Sequence, residues 1–172
     1  MTHIIKPASP LPFFDFFDTV PSGFVPRSVF LGGSIEMGSA ENWQDAITDV
    51  LLSVGTLSYI FNPRRDNWDS SWEQSIHNSE FKDQVEWEFH ALNISEYIIF
   101  YFDPNTKSPI TLMELGYHLA KCAHKCLVYC PSGYWRKGNV DVMCKLHHVP
   151  VYENRDEFFE FLKQRISSHR AC

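Results

Sequence analysis

An apolar run that leads directly into a helix start constrains this chain most. Residues 97–102 (YIIFYF) are all apolar or aromatic, which is typical of a strand buried on both faces. Asp103-Pro104 marks a turn, and Ser108-Pro109 places a cap residue before a proline at the first helical position. The segment is therefore predicted to be strand, loop and helix. In an α/β sheet, the loop beyond the carboxyl end of a strand is where ligands bind.

The rest of the chain alternates in the same way. Further strands are predicted at 28–31, 57–61, 125–130 and 149–152, with helices at 41–54, 109–122 and 139–147, one through residues 81–92, and a closing helix through 158–166. Such alternation predicts an α/β fold, a flavodoxin-like doubly wound five-stranded parallel sheet with helices on both faces. We expect residues 28–172 to form one domain. Residues 1–27 form a Pro- and Phe-rich arm that packs on its surface or covers a partner subunit.

Composition excludes several classes of protein. An apolar content of 44% argues against a disordered chain, and a formal charge of −6 argues against binding to a nucleic acid polymer. No apolar run has membrane-spanning length, so no membrane association is expected. The N-terminus has no apolar signal core, and the odd count of five cysteines favours reduced thiols. A cytoplasmic location is therefore predicted.

The cysteines also raise the question of a metal. Cys122, Cys126 and Cys130 recur every four residues, near His118 and His124. This spacing could suit a metal ion, but the run crosses from a helix end into a strand, which scatters the side chains. No metal site and no other cofactor is predicted.

Glu114, in the early turns of the helix that follows the strand at 97–102, is the first catalytic candidate. A helix N-terminus favours a negative charge, so this carboxylate is expected to stay ionised and able to attack. Residues 111–114 (TLME) also fit a capping box, in which the glutamate only binds a backbone N–H. Taken alone, these four residues favour the capping box, because that motif is far commoner than a nucleophile.

Glu88 is the second candidate carboxylate. On a helical wheel, Phe81, Phe89 and Leu92 fall within about 40° of Val85 and predict the buried stripe of this helix, and Glu88 falls about 60° from Val85, at the edge of that stripe. A carboxylate bordering an apolar face needs a partner or a task. It could form a structural ion pair with Arg64 or Arg65. It could also join Glu114 in cleaving a glycosidic bond, with retention of anomeric configuration.

Other polar residues gather in the loops that follow the predicted strands. Gly33 and Ser34 could let a ligand approach the backbone, or could form a tight turn. In the loop at 62–72, Arg64 could hold an anionic group and Trp68 could stack on a base, or the loop could be solvated with internal salt bridges.

Four segments in this order resemble the nucleoside 2-deoxyribosyltransferase family. They are residues 32–36 (GGSIE), 62–65 (NPRR), 84–88 (QVEWE) and 108–116 (SPITLMELG), and the likeness extends over about 28–152. The resemblance implies a flavodoxin-like fold and an enzyme that acts on a nucleoside or nucleotide and a free nucleobase.

The resemblance also implies roles for individual residues. Glu114 matches the nucleophile that attacks the anomeric carbon, and Glu88 matches an acidic residue that contacts the sugar. Ser108 occupies a position that is aspartate in typical transferases, where it helps to protonate the leaving base, and serine in related nucleotide N-glycosidases. Asp69 is the substitute proton donor that we expect here. Asn139 resembles an asparagine that reaches a neighbouring subunit's site, which implies a homo-oligomer.

Three functions stay open on the sequence. The first is transfer of a 2-deoxyribosyl group between nucleobases through a covalent glutamyl-sugar intermediate. The second is hydrolysis of a nucleoside or nucleotide N-glycosidic bond, in which Arg64, Arg65 and Ser108 could hold a phosphate. The third is a non-catalytic module that senses a nucleotide.

Overall fold

The computed structural model describes residues 1–7, 9–11, 27–35, 40–65 and 71–168. Its centre is a single parallel sheet of six strands. The strands are β1 (His3–Ile5), β2 (Ser28–Gly33), β3 (Tyr59–Phe61), β4 (Tyr97–Tyr101), β5 (Cys126–Tyr129) and β6 (Val151–Tyr152).

The strand order confirms the predicted fold class. The sheet runs β1-β3-β2-β4-β5-β6, and without β1 this is the 2-1-3-4-5 order of flavodoxin-like sheets. The predicted strand number was wrong by one, because β1 is only three residues long and lies in the segment assigned to the arm. β1 pairs with β3 at the edge of the sheet, where short strands with exposed side chains are common. Residues 12–26 of the predicted arm lie outside the described residues.

Within the described ranges, five α-helices cover both faces of the sheet. They are α1 (Trp43–Val54), α2 (Ser79–Ile94), α3 (Pro109–Cys122), α4 (Lys137–Leu146) and α5 (Arg155–Ser167). The buried residues of α1 and α5 pack on one face, and those of α2, α3 and α4 pack on the other. Successive residues of a strand point to opposite faces of the sheet. Val29 packs with α1 and α5, and Phe30 packs with α2, α3 and α4. In the described part of the chain, none of these helices is long and apolar enough to span a bilayer.

The orientation of α2 differs from the prediction. The expected buried residues Val85 and Phe89 are 46% and 48% exposed, whereas Gln84 and Trp87 are buried. The buried face is therefore rotated by about 100° from the apolar stripe. The predicted stripe was right for Leu92, which is buried, and wrong for Val85 and Phe89, because α2 packs mainly through Trp87, Ala91 and Leu92.

Candidate active site

The site begins at the point where the sheet reverses its direction of winding. From β2 the chain passes first to β3 on one side, and later to β4 on the other. In open α/β sheets the crevice beyond such a point is the usual ligand site. Ser34 follows β2 there, and the loop that contains Thr106 and Ser108 follows β4.

Three buried hydroxyls join these two loops. The Oγ atoms of Ser34 and Ser108 are 2.6 Å apart, and Thr106 Oγ1 lies 2.8 Å from each of them. Ser34 Oγ also accepts the backbone N–H of Asp103 at 2.9 Å. Ser108 sits at the N-cap of α3 in a left-handed conformation (φ 47°), and its hydroxyl does not cap the helix. The cluster therefore fixes the loop between β4 and α3 against the end of β2.

Gly33 is required by the packing of the chain itself. A Cβ atom at this position would lie 2.4 Å from the backbone oxygen of Tyr101 and 2.6 Å from the ring of Trp43. The Trp43 ring stacks on Tyr101, with ring centroids 4.6 Å apart, and its Nε1 donates to the backbone oxygen of Ser34 at 2.8 Å. The room left by this glycine is thus filled by protein atoms. Substrate binding by Gly33 stays a prediction.

Glu114 lies in the second turn of α3. The helix begins at Pro109, so Thr111 is an interior residue, is buried and cannot be the N-cap that a capping box needs. The capping-box interpretation is therefore wrong. None of the described residues donates a hydrogen bond to the Glu114 carboxyl group, which is partly buried.

The expected ionisation of Glu114 also needs correction. Burial, followed by the charge of Glu88, raises the pKa of Glu114 from 4.5 to about 8. The influence of a helix N-terminus fades beyond the first turn, and Glu114 lies past it. Desolvation therefore outweighs the helix dipole at this position.

Glu88 faces a more polar environment. Gln84, one turn earlier on α2, donates from Nε2 to Glu88 Oε1, and Arg65 Nε donates to Gln84 Oε1. Burial raises the pKa of Glu88 from 4.5 to about 7, opposed by the Gln84 hydrogen bond and by the charge of Arg65. The structure therefore gives Glu88 polar support that Glu114 lacks among the described residues.

The two glutamates form a pair across neighbouring helices. α2 and α3 lie side by side, since Lys121 Nζ donates to Asn93 Oδ1 at 2.7 Å and the rings of Phe89 and Tyr117 are 6.3 Å apart. The charge of Glu88 also contributes to the raised pKa of Glu114. Both carboxyl groups therefore change ionisation state near neutral pH, which is typical of residues with a chemical task.

The arginines of the loop after β3 point in two directions. Arg64 donates to the backbone oxygens of Ala40 and Glu41 at 3.1 and 3.2 Å and to Gln44 Oε1 at 3.3 Å, at the start of α1. These contacts belong to the opposite face of the sheet from the glutamates. Arg65, rather than Arg64, reaches the glutamate pair. Trp68 and Asp69 lie outside the described residues, so their roles stay predictions.

Asn139 lies away from Glu114 in the same chain. It is exposed in the first turn of α4 and borders a groove of about 300 Å³ between α3 and α4, with Leu112, Gly116 and Arg136. Gly116 and Glu114 are about 200° apart around α3, so the groove and Glu114 occupy opposite sides of that helix. The structure does not bring Asn139 and the glutamate pair together within one chain.

Gln84 is the site residue that the sequence predictions omit, whereas Arg65 was predicted only as an ion-pair partner of Glu88 or as a phosphate ligand. A signal for Gln84 is present, because it precedes Glu88 by four residues and therefore lies on the same helix face. For the cysteines, the described residues contain no group of three or more potential ligands that could hold a metal ion. Cys126 and Cys130 are buried in the apolar core on the side of α3.

Comparisons with known proteins agree with this architecture. The crystal structure of a conserved protein from Enterococcus faecalis V583 matches with a TM-score of 0.58 at 13% identity, over 81% of this chain and 99% of that one. This similarity shows the doubly wound fold alone. No curated protein sequence matches the chain. Residues 26–134 match the family described as "Nucleoside 2-deoxyribosyltransferase like", and these residues contain β2 to β5, the hydroxyl cluster and both glutamates. The chain belongs to the nucleoside 2-deoxyribosyltransferase-like family.

Proposed function

We propose that this chain cleaves the N-glycosidic bond of a 2′-deoxynucleoside and transfers the 2-deoxyribosyl group to another nucleobase. The observation that carries the proposal is the pair of partly buried carboxyl groups, Glu88 and Glu114, on adjacent helices. Their raised pKa values make ionisation costly for the fold, which is expected of residues retained for a chemical task. Family membership supports the choice of nucleosides and nucleobases as substrates.

The reaction has two displacement steps. In the first, a carboxylate oxygen of Glu114 attacks the anomeric carbon, the bond to the base nitrogen breaks, and the base leaves with a proton from an acid. In the second, a nitrogen of the acceptor base attacks the same carbon and loses its proton to the acid that was deprotonated in the first step, the glutamyl ester breaks, and the Glu114 carboxylate is regenerated. Two inversions give overall retention. Glu88 accepts a hydrogen bond from a sugar hydroxyl, and Asp69 is the proposed proton donor to the leaving base.

Mass spectrometry tests the covalent step directly. Brief exposure to a 2′-deoxynucleoside, followed by acid quench and peptide mapping, should reveal a deoxyribosyl adduct on Glu114. The Glu114→Gln protein is the control and should carry no adduct. Turnover without any adduct on Glu114, or with the adduct on another residue, would refute the assignment.

A hydrolase acting on nucleotides is the second candidate, and Ser108 is the observation that favours it. Its hydroxyl belongs to the buried cluster, at a position where typical transferases of the family carry an acid. Product analysis distinguishes the two reactions. Thymidine with added adenine should yield deoxyadenosine. Release of deoxyribose from thymidine, or of deoxyribose 5-phosphate from thymidine 5′-monophosphate, unaffected by adenine, would favour the hydrolase.

A nucleotide-sensing module is the third candidate. Replacement of Glu114 by alanine separates a sensor from an enzyme, because an enzyme loses turnover while a sensor keeps its affinity for the ligand. We expect loss of turnover. Unchanged binding, measured by calorimetry with a nucleoside monophosphate that the wild-type chain does not convert, would favour the sensor.

We further propose that the active unit is a homo-oligomer in which Asn139 serves a neighbouring subunit. The separation of Asn139 from Glu114 within one chain supports this arrangement, as do the exposed apolar residues on α2 and α3, Val85, Phe89, Ile110, Met113 and Tyr117. Mixing inactive Glu114→Ala and Asn139→Ala subunits should restore part of the activity if sites are shared. No recovery in mixed oligomers would contradict the shared site.

A further inference from the structure

Gln84 is a buried polar residue whose side-chain amide is fully engaged. It is only 3% exposed. Its Oε1 accepts from Arg65 Nε, and its Nε2 donates to Glu88 Oε1 and, at 3.4 Å, to the backbone oxygen of Pro63. A residue of this kind in the core of a helix face is unusual, because burying an amide is costly unless all its polar atoms are bonded.

The surroundings fix which way the amide points. If the oxygen and nitrogen exchanged places, the NH₂ group would face the Arg65 guanidinium and the oxygen would face the Glu88 carboxyl group. The first contact would join two donors and the second would join two acceptors when Glu88 is ionised. Gln84 therefore always offers a donor to Glu88, and Arg65 enforces this orientation.

This arrangement favours the ionised form of Glu88 over that of Glu114. Among the described residues, the groups that act on Glu88 are Gln84 from its own helix and Arg65 from the loop after β3, and Glu88 in turn acts on Glu114 of α3. Gln84 and Arg65 both favour the ionised form of Glu88. Glu114 receives no matching donor from the described residues, and its pKa is the higher of the two.

We propose that Gln84 is a positioning residue that couples Arg65 to Glu88 and keeps the Glu88 carboxylate ionised and oriented for the sugar. This inference rests on the proposed function for its catalytic meaning, although the coupling itself is a property of the folded chain. It does not require Gln84 to touch the substrate.

The test measures the titration of Glu88 by ¹³C NMR of side-chain carboxyl carbons, assigned by the signal that disappears in Glu88→Gln. Replacing Gln84 with methionine keeps its length and removes the amide. Loss of a hydrogen bond to a charged group should raise the pKa of Glu88 by about one pH unit. If methionine prevents folding, Gln84→Asn keeps an amide too short to reach both partners, and should shift the titration in the same direction.

Gln44 offers a matched control on the other face of the sheet. It is fully buried, and its Oε1 accepts from Arg64 at 3.3 Å. Among the described residues its Nε2 has no hydrogen-bond partner and bonds to no carboxylate. Gln44→Met should therefore leave the Glu88 titration unmoved, even if it changes stability as much as Gln84→Met does.

Kinetics supply the second measurement. In Gln84→Met, the acidic limb of the kcat/KM profile should move to higher pH by about one unit. At pH values where Glu88 is mostly protonated, kcat/KM should therefore fall about tenfold. In a Glu88→Gln background the same change should have little further effect, because its target is gone. An unmoved Glu88 titration in folded Gln84→Met would overturn this inference and leave the proposed function intact. A wild-type chain without glycosyl transfer or hydrolysis would overturn the proposed function, and the NMR titration would still decide the coupling.

Discussion

Replacing Glu114 with glutamine should change how the stability of the fold depends on pH. Burial raises the pKa of this carboxyl group from 4.5 to about 8. Between these two pH values the folded chain binds more protons at Glu114 than the unfolded chain does, so stability falls as the pH rises through about 8. A glutamine does not titrate, and the variant should lose this contribution to the pH dependence.

The magnitude follows from the change in pKa. A rise from 4.5 to about 8 sets a ceiling of about 5 kcal/mol on the destabilisation of the wild-type chain at pH 9. Part of that rise comes from the charge of Glu88, and the Glu114 side chain keeps some contact with solvent. We therefore expect the unfolding free energy of the wild type to fall by about 2–3 kcal/mol more than that of the variant between pH 5 and pH 9.

Urea unfolding followed by tryptophan fluorescence measures this difference. The quantity to compare is the change in unfolding free energy from pH 5 to pH 9, because any fixed cost of burying the glutamine amide cancels in it. Glu86→Gln is the matched control, since Glu86 is exposed on α2 and pairs with Lys82 at 3.4 Å. The control should follow the wild type. If Glu114→Gln follows it too, Glu114 is not held in a desolvated site and the argument for a costly functional carboxyl group fails.

Three further predictions concern the site and its frame. Gly33→Ala should destabilise the fold by about 2 kcal/mol or more in urea unfolding, because the new Cβ meets the Tyr101 backbone oxygen at 2.4 Å; wild-type stability would refute the packing role of this glycine. Ser34→Ala should cost about 1–3 kcal/mol and slow turnover, since buried donors after β4 lose their acceptor; unchanged stability and turnover would show that the hydroxyl cluster does not hold the loop. The kcat/KM of the wild-type enzyme should rise with pH through about 7 and about 8 as Glu88 and Glu114 ionise, and fall again where the acid that protonates the base is lost; activity that is maximal at pH 5 would contradict an ionised nucleophile.

Local sequence patterns were sufficient for most of the fold. Short segments rich in apolar residues identified the strands from β2 to β6, and the continuous runs at β4 and β5 match strands that are buried throughout. The Ser108-Pro109 pair gave the start of α3 without error. That start already excludes the capping box at residues 111–114, because a residue inside a helix cannot be its N-cap. The information needed to choose between the two interpretations of Glu114 was therefore present in the sequence.

Contacts between distant residues were beyond the reach of local patterns. Ser34 and Ser108 are 74 positions apart and meet only because β2 and β4 are neighbours at the point where the sheet changes direction. Arg64 and Arg65 are adjacent in sequence, yet they serve opposite faces of the sheet. Nothing in their local composition distinguishes the arginine that supports α1 from the one that reaches the glutamate pair.

The rotated buried face of α2 connects the failed prediction to the function. A helix chosen for stability alone would bury Val85 and Phe89 and expose Gln84, whereas in α2 Gln84 is buried and the two apolar side chains are about half exposed. Natural sequences depart from local rules mainly at functional sites, where the departure is stabilised elsewhere. Here Arg65 and Gln84 offset part of the cost of bringing Glu88 inside. The exposed apolar side chains of Val85 and Phe89 then need their own explanation. A neighbouring subunit that covers them would place the two glutamates beside the boundary between two chains. The orientation of a single helix thus accounts for both the polar pair inside and the proposed oligomer outside.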